Sequence, residues 1–201
     1  MKDYIEKQDE SAERRFFSPQ IELRAEGDDQ FIEGIAATID SETDLGWYRE
    51  KISRGAFDDV MNDDVVALFN HDPNFPLART GAGLDLFITK EGHLGYRYKT
   101  PNTTTGRDLA ENIRTGVISK SSFAFTIEKD EWKEEKDNKI PDVRTITKLK
   151  RLYDVSPVTY PAYQSTSVTT VAARSLEKFH KPEIDNDTIQ RDSDLRSLEL
   201  K

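Results

Sequence analysis

From Ser121 to Ile127 the chain alternates. Phe123, Phe125 and Ile127 fall on one face, Ser122 and Ala124 on the other, the period-2 pattern of a half-buried strand. The small Ala124 leaves room on the face where Ser122 projects. The same kind of reading places strands at Phe17–Arg24 and Gln30–Ile39, joined by the turn-forming Glu26-Gly27-Asp28-Asp29, with Gly34 marking a bulge or a close approach. Residues 40–47 are turn-rich, and Arg54–Met61 is expected as a short helix ended by Asn62-Asp63-Asp64. Asp64–Asn70 reads as an apolar strand that delivers His71 to a loop stiffened by Pro73 and Pro76.

Gly83–Thr89 and His93–Thr100 form a hairpin around Lys90-Glu91-Gly92, and Thr103–Thr115 a helix with Leu109 and Ile113 on its apolar face and Gly116 as its stop. The strand carrying Ser122 runs to about Trp132. After a charged loop over 133–142, strands follow at Val143–Leu152 and at Tyr153–Tyr163, with one more strand or a helix start at Ser167–Ala172. Many short-spaced strands with one or two helices predict a mainly β, α+β domain, most simply a closed β-barrel.

Composition adds the boundaries. The 201 residues suffice for one domain with tails, and 35% hydrophobic against 33% charged is polar for a compact globule. The charged ends account for this: residues 1–16 read as a flexible arm, 17–173 as the folded domain and 174–201 as a flexible tail. A net charge of -9 without a basic stripe argues against nucleic acid as a partner. No apolar run is long enough for a membrane span. The chain has no cysteine, which excludes disulfides and thiolate nucleophiles. Its histidines lack metal-ligand spacing, so neither a metal nor a cofactor is expected.

Hydrolysis in such a chain needs an activated hydroxyl or a carboxylate pair. Among 38 acidic residues none sits in a recognisable aromatic cleft motif, which leaves the hydroxyl as the better candidate. Ser122 as nucleophile needs a base, and His71, at the end of an apolar strand, is the best placed of the three histidines. His93 lies on a hairpin beside Gly92, and His180 in the tail. Asp154, a carboxylate inside an apolar strand pattern, is the candidate for orienting the imidazole, although pairing with Arg151 would explain it equally well. Asp72 ranks lower because neighbours in an extended segment point apart. A register slip of one residue would exchange Ser122 for Ser121.

These residues resemble those of the prohead proteases of tailed bacteriophages, distant relatives of the herpesvirus assemblins. The matching segments are Gly55-Ala56-Phe57, Leu68-Phe69-Asn70-His71-Asp72, Gly83-Leu84, Ser122-Phe123-Ala124-Phe125 and Val155 to Ala162, in the family's order across about residues 17–172. The resemblance implies a closed barrel of about seven strands flanked by helices. It also implies a serine endopeptidase with Ser122 as nucleophile, His71 as general base and Asp154 as third member. Its implied partners are the major capsid protein and a scaffold protein or domain, cleaved inside the assembling procapsid in the host cytoplasm, together with self-cleavage. By analogy with the herpesvirus relatives, a homodimer is also permitted. One departure is Ala124, where the family has glycine. It supports the alternative of a catalytically idle capsid-assembly or scaffolding module on the same barrel.

Overall fold

The structure, a computed structural model, describes residues 12–45, 48–135, 142–160, 175 and 179, with residues 16–20 given by backbone alone. The elements are β1 (Glu13–Glu26), β2 (Asp29–Ala37), β3 (Thr43–Asp44), β4 (Arg49–Ile52), β5 (Val66–Phe69), β6 (Asp72–Thr80), β7 (Gly83–Ile88), β8 (Leu94–Lys99), helix α1 (Thr104–Arg114), β9 (Lys120–Lys133) and β10 (Val143–Val158). The strands form one sheet in the order β3-β4-β10-β5-β6-β7-β8-β2-β1-β9, and β9 also pairs with β10.

The fold is mainly β, as expected, but the closed barrel of about seven strands with flanking helices is corrected to a curled half-barrel of ten strands with one helix. Two lanes are thin. β10 meets β5 only at Asp154–Val155 against Val66–Ala67, and β6 meets β7 only at Arg79–Thr80 against Gly83–Leu84. The long β9 and β10 also run on together to Lys133 and Val143, where β10 takes β4 as a further neighbour.

Several expectations shift for local reasons. The helix expected over Arg54–Met61 is reduced to a 3-10 turn at Asp58–Val60, because Gly55 has φ +84° and the hydrogen bonds there run from i+3 to i. The stiff loop after His71 is instead β6, which takes in Pro73 and Pro76 because its ladder with β5 is broken by two register shifts. The two strands expected over 143–163 are one strand, β10, to Val158. The arm expected up to residue 16 gives way to β1 at Glu13. The arm's residues 1–11, the segments Pro161–Tyr163 and Ser167–Ala172, most of the 133–142 loop, and nearly all of the tail lie outside the described residues.

The core lies inside the curl. Phe123 and Phe125 stack with centroids 4.6 Å apart, Phe57 meets Phe123 edge-on at 6.3 Å, and Leu109 and Ile113 of α1 join the same cluster. Gly34 proves to be a close approach: a Cβ there would lie 2.7 Å from the ring of Tyr96, its partner on β8. Burial pushes the Tyr48 hydroxyl up to about 12, against an ordinary 10.0, and raises those of Tyr96 and Tyr98 as well. Unfolded tyrosines therefore lose protons first, so this contribution to stability is complete below about pH 10 and is lost as the pH rises further. Thermal melts taken at successive alkaline pH values should show a midpoint that falls steeply from about pH 10 upward.

A second buried cluster is ionic. Arg15 on β1 binds Glu50 on β4 and Glu13 on its own strand. Arg144 on β10 reaches Glu13 and Glu50, each at 3.2 Å, and Asp130 on β9 at 2.7 Å. Burial works against both guanidiniums, but Glu50 and Glu13 outweigh it and hold them above the usual arginine value, Arg15 well above.

Candidate active site

β9 brings Ser122 into the middle of the sheet, opposite Phe16 on β1 and Ser156 on β10. Paired residues share a face, so Ser122 and Ser156 project together, away from Phe123 and the core. Asp154, two residues before Ser156, joins them by alternation, in the unbroken register Asp154↔Ala124, Val155↔Phe123 and Ser156↔Ser122. Between Leu152↔Phe125 and Asp154↔Ala124, Tyr153 has no partner of its own. That extra residue is a bulge that lets Leu152 and Val155, three apart, both face the core.

His71 comes from a third direction. Asn70 and His71 are the two central residues of the β5–β6 hairpin, with φ of 56° and 57°, the left-handed pair of a type I′ turn. The turn is fastened to the end of β10. Asn70 N donates to the Pro157 carbonyl at 3.0 Å, its Nδ2 to Thr159 Oγ1 at 3.2 Å, and Thr159 N donates to Asn70 Oδ1 at 2.8 Å. Asparagine is among the residues that accept this backbone most readily.

The three side chains meet. His71 Nδ1 lies 2.6 Å from Asp154 Oδ1, and His71 Nε2 lies 2.7 Å from Ser122 Oγ. Ser156 Oγ donates to the same Asp154 oxygen at 2.8 Å. Ser122, Asp154 and Ser156 are buried at 0–1% exposure and His71 at 6%. With its proton on Nδ1, facing the carboxylate, the imidazole leaves Nε2 free to accept the Ser122 proton. Ser122 Oγ is also within 2.9 Å of the Arg15 carbonyl, a second acceptor for the same proton.

The rejected candidates have other work. Ser121 turns to the opposite face, where its Oγ donates to the Tyr96 hydroxyl at 2.9 Å. Asp72 accepts from Asn74 N at 2.9 Å and Nδ2 at 2.8 Å. His93 Nδ1 accepts from Ile39 N at 3.3 Å, on the hairpin away from this cluster. His180 lies outside the described residues. The sequence reading missed Asn70 and Ser156. The signal for Ser156 was available in Asp154-Val155-Ser156, whose alternation puts both polar residues on one face, while that for Asn70 required knowing the turn type.

A histidine held between a carboxylate and a hydroxyl is an arrangement that can activate the hydroxyl for attack on a carbonyl, the chemistry that serine-type hydrolases use. The comparisons with known proteins narrow the class. The model of the caudovirus prohead serine protease family matches residues 19–182, and the chain belongs to that family. It is accordingly a protease of phage capsid maturation, acting in the assembling procapsid within the host cell. Among solved structures it is similar to the bacteriophage T4 capsid assembly protease gp21, at 16% identity and a TM-score of 0.48, covering 75% of this chain and 98% of that one. No curated protein matches it. Among the described residues no helix is long and apolar enough to cross a membrane.

Proposed function

We propose that the chain is a serine endopeptidase in which Ser122 attacks a peptide carbonyl while His71 takes its proton and then delivers it to the leaving amine. Asp154 holds the imidazole in the required tautomer and stabilises its charged form, and water then releases the acyl group by the same route. The observation that carries this reading is the unbroken chain Asp154–His71–Ser122, built from strands and a turn far apart in sequence. Ala124, in the place of the family glycine, leaves that chain intact, which favours an active enzyme over an idle assembly module. The substrates are extensions of the capsid and scaffold proteins, and the charged ends of this chain are its own cleavage sites. The folded unit is the region between those ends.

Diisopropyl fluorophosphate, which phosphorylates activated serines, tests the assignment without knowledge of the cleavage sequence. Peptide mapping should find one adduct, on Ser122, and none in His71→Ala. An adduct on Ser121, or cleavage of procapsid proteins by a chain whose Ser122 stays unlabelled, would overturn it.

Asn70 gives a further expectation. Asn70→Ala removes both side-chain bonds to Thr159 and puts a poorly suited residue at positive φ, at a cost of about 1–2 kcal/mol. Cleavage should slow by about 10–100-fold, because displacement of the base by about 1 Å is enough for that. Asn70→Gly restores the turn but not the clamp. In urea unfolding it should recover stability while the turnover number remains low.

A further inference from the structure

Ser122 is wholly buried, so a peptide carbonyl reaches its Oγ only if a neighbouring element moves. β9 has two edges at this point. One is paired with β10, which carries Asp154 and Ser156 and cannot leave without dismantling the site. The other is covered by the first residues of β1, in the register Glu13↔Phe125, Arg14↔Ala124, Arg15↔Phe123, Phe16↔Ser122 and Phe17↔Ser121.

This stretch is set apart from the rest of its strand. The register shifts between Phe17 and Gln20, across Ser18-Pro19, and the ladder with β2 begins only at Ile21. The family match begins at residue 19, just beyond it. Its Arg15 carbonyl sits 2.9 Å from Ser122 Oγ, while His71 Nε2 sits 2.7 Å from the same atom. A hydroxyl has one proton, and while Arg15 holds it His71 cannot take it.

We propose that residues 13–17 occupy the lane in which the substrate binds, and that cleavage requires them to leave β9. The inference rests on the peptidase reading above and names its ligand: an extended peptide that pairs antiparallel with Ser121–Phe125 through main-chain hydrogen bonds. The substrate's carbonyl takes the position now held by that of Arg15. The occupant is retained by Glu13 and Arg15, which enter the buried ionic cluster as one negative and one positive charge. Their departure removes no net charge and leaves Glu50 paired with Arg144. A strand in place 99% of the time lowers the reactivity of Ser122 by about 100-fold.

Two measurements on the full chain test this. In hydrogen exchange the amides of residues 13–17 should exchange at least about tenfold faster than those of Leu152–Ser156 on β10, which keeps its pairing with β9. Arg15→Ala, which loosens the occupant, should be labelled at Ser122 by diisopropyl fluorophosphate about tenfold faster than the native chain, while still unfolding cooperatively. Amides at 13–17 as slow as those of Leu152–Ser156, or equal labelling rates in the two folded proteins, would overturn the proposal. If neither protein is labelled although the segment exchanges rapidly, the peptidase reading itself falls, and the substrate lane with it. If Arg15→Ala does not fold, the exchange rates of the native chain decide alone.

Discussion

Ser122→Ala is expected to fold as the native chain does and to cleave peptide bonds slower by on the order of a millionfold, the loss that follows when the nucleophile of a cooperating triad is removed. The substitution takes away one oxygen whose contacts are His71 Nε2 and the Arg15 carbonyl. Both retain other bonding: His71 keeps Asp154, and Arg15 keeps its place in the ladder with Phe123. The unfolding midpoint should therefore stay near that of the native chain. Ser121→Ala is the decisive companion. It deletes a buried donor to the Tyr96 hydroxyl and should cost about 1–3 kcal/mol of stability. Its cleavage rate should stay close to native, because Ser121 faces away from His71. Intact mass of capsid and scaffold proteins incubated with each variant reads both outcomes. A Ser122→Ala protein that still trims them would remove Ser122 from the mechanism.

The largest expected loss of stability lies in the ionic cluster. Arg144 is 2% exposed and serves Glu13, Glu50 and Asp130 at once. Arg144→Met keeps much of the volume but leaves buried carboxylates facing one another with Arg15 as their remaining cation. Breaking a buried pair from one side costs about 3–5 kcal/mol, whereas replacing a whole cluster by apolar residues can be neutral. Against a total stability of about 5–15 kcal/mol for a domain, that is about a fifth at the least. Guanidinium unfolding should show a lower midpoint with an unchanged slope, since the surface exposed on unfolding is the same. Arg79→Met, which breaks an exposed pair with Asp64, should leave the midpoint almost unmoved.

The reach of the sequence is clearest residue by residue. Ser122 was legible because Phe123, Phe125 and Ile127 mark the core face so plainly that the opposite face is determined. His71 was legible as the polar end of an apolar strand, although the two-residue turn that aims it was not. Asp154 stood out by its cost if left alone in an apolar strand, while the bulge at Tyr153, which resets the phase between Leu152 and Val155, did not. A trace of that bulge is present in Leu149, Leu152 and Val155, core residues spaced by three where an unbroken strand would space them by two. Glu13 and Arg15 were read as part of a solvated arm because their partners are remote: Glu50 lies 35 residues from Arg15, and Arg144 lies 131 from Glu13. No local pattern reports a charge neutralised at that distance. Closure into a barrel was likewise beyond reach, since the short β10–β5 and β6–β7 lanes are set by pairings that no local pattern reports.

The two-residue turn at Asn70-His71 constrains how this lineage can change. A hairpin linked by a type I′ turn has no slack, so adding or deleting one residue between Phe69 and Asp72 changes the turn type and sends the imidazole elsewhere. Drift in the length of the chain is thus barred at this point while it remains open in surface loops such as Thr89–His93, and related chains should differ in length there and agree at the turn.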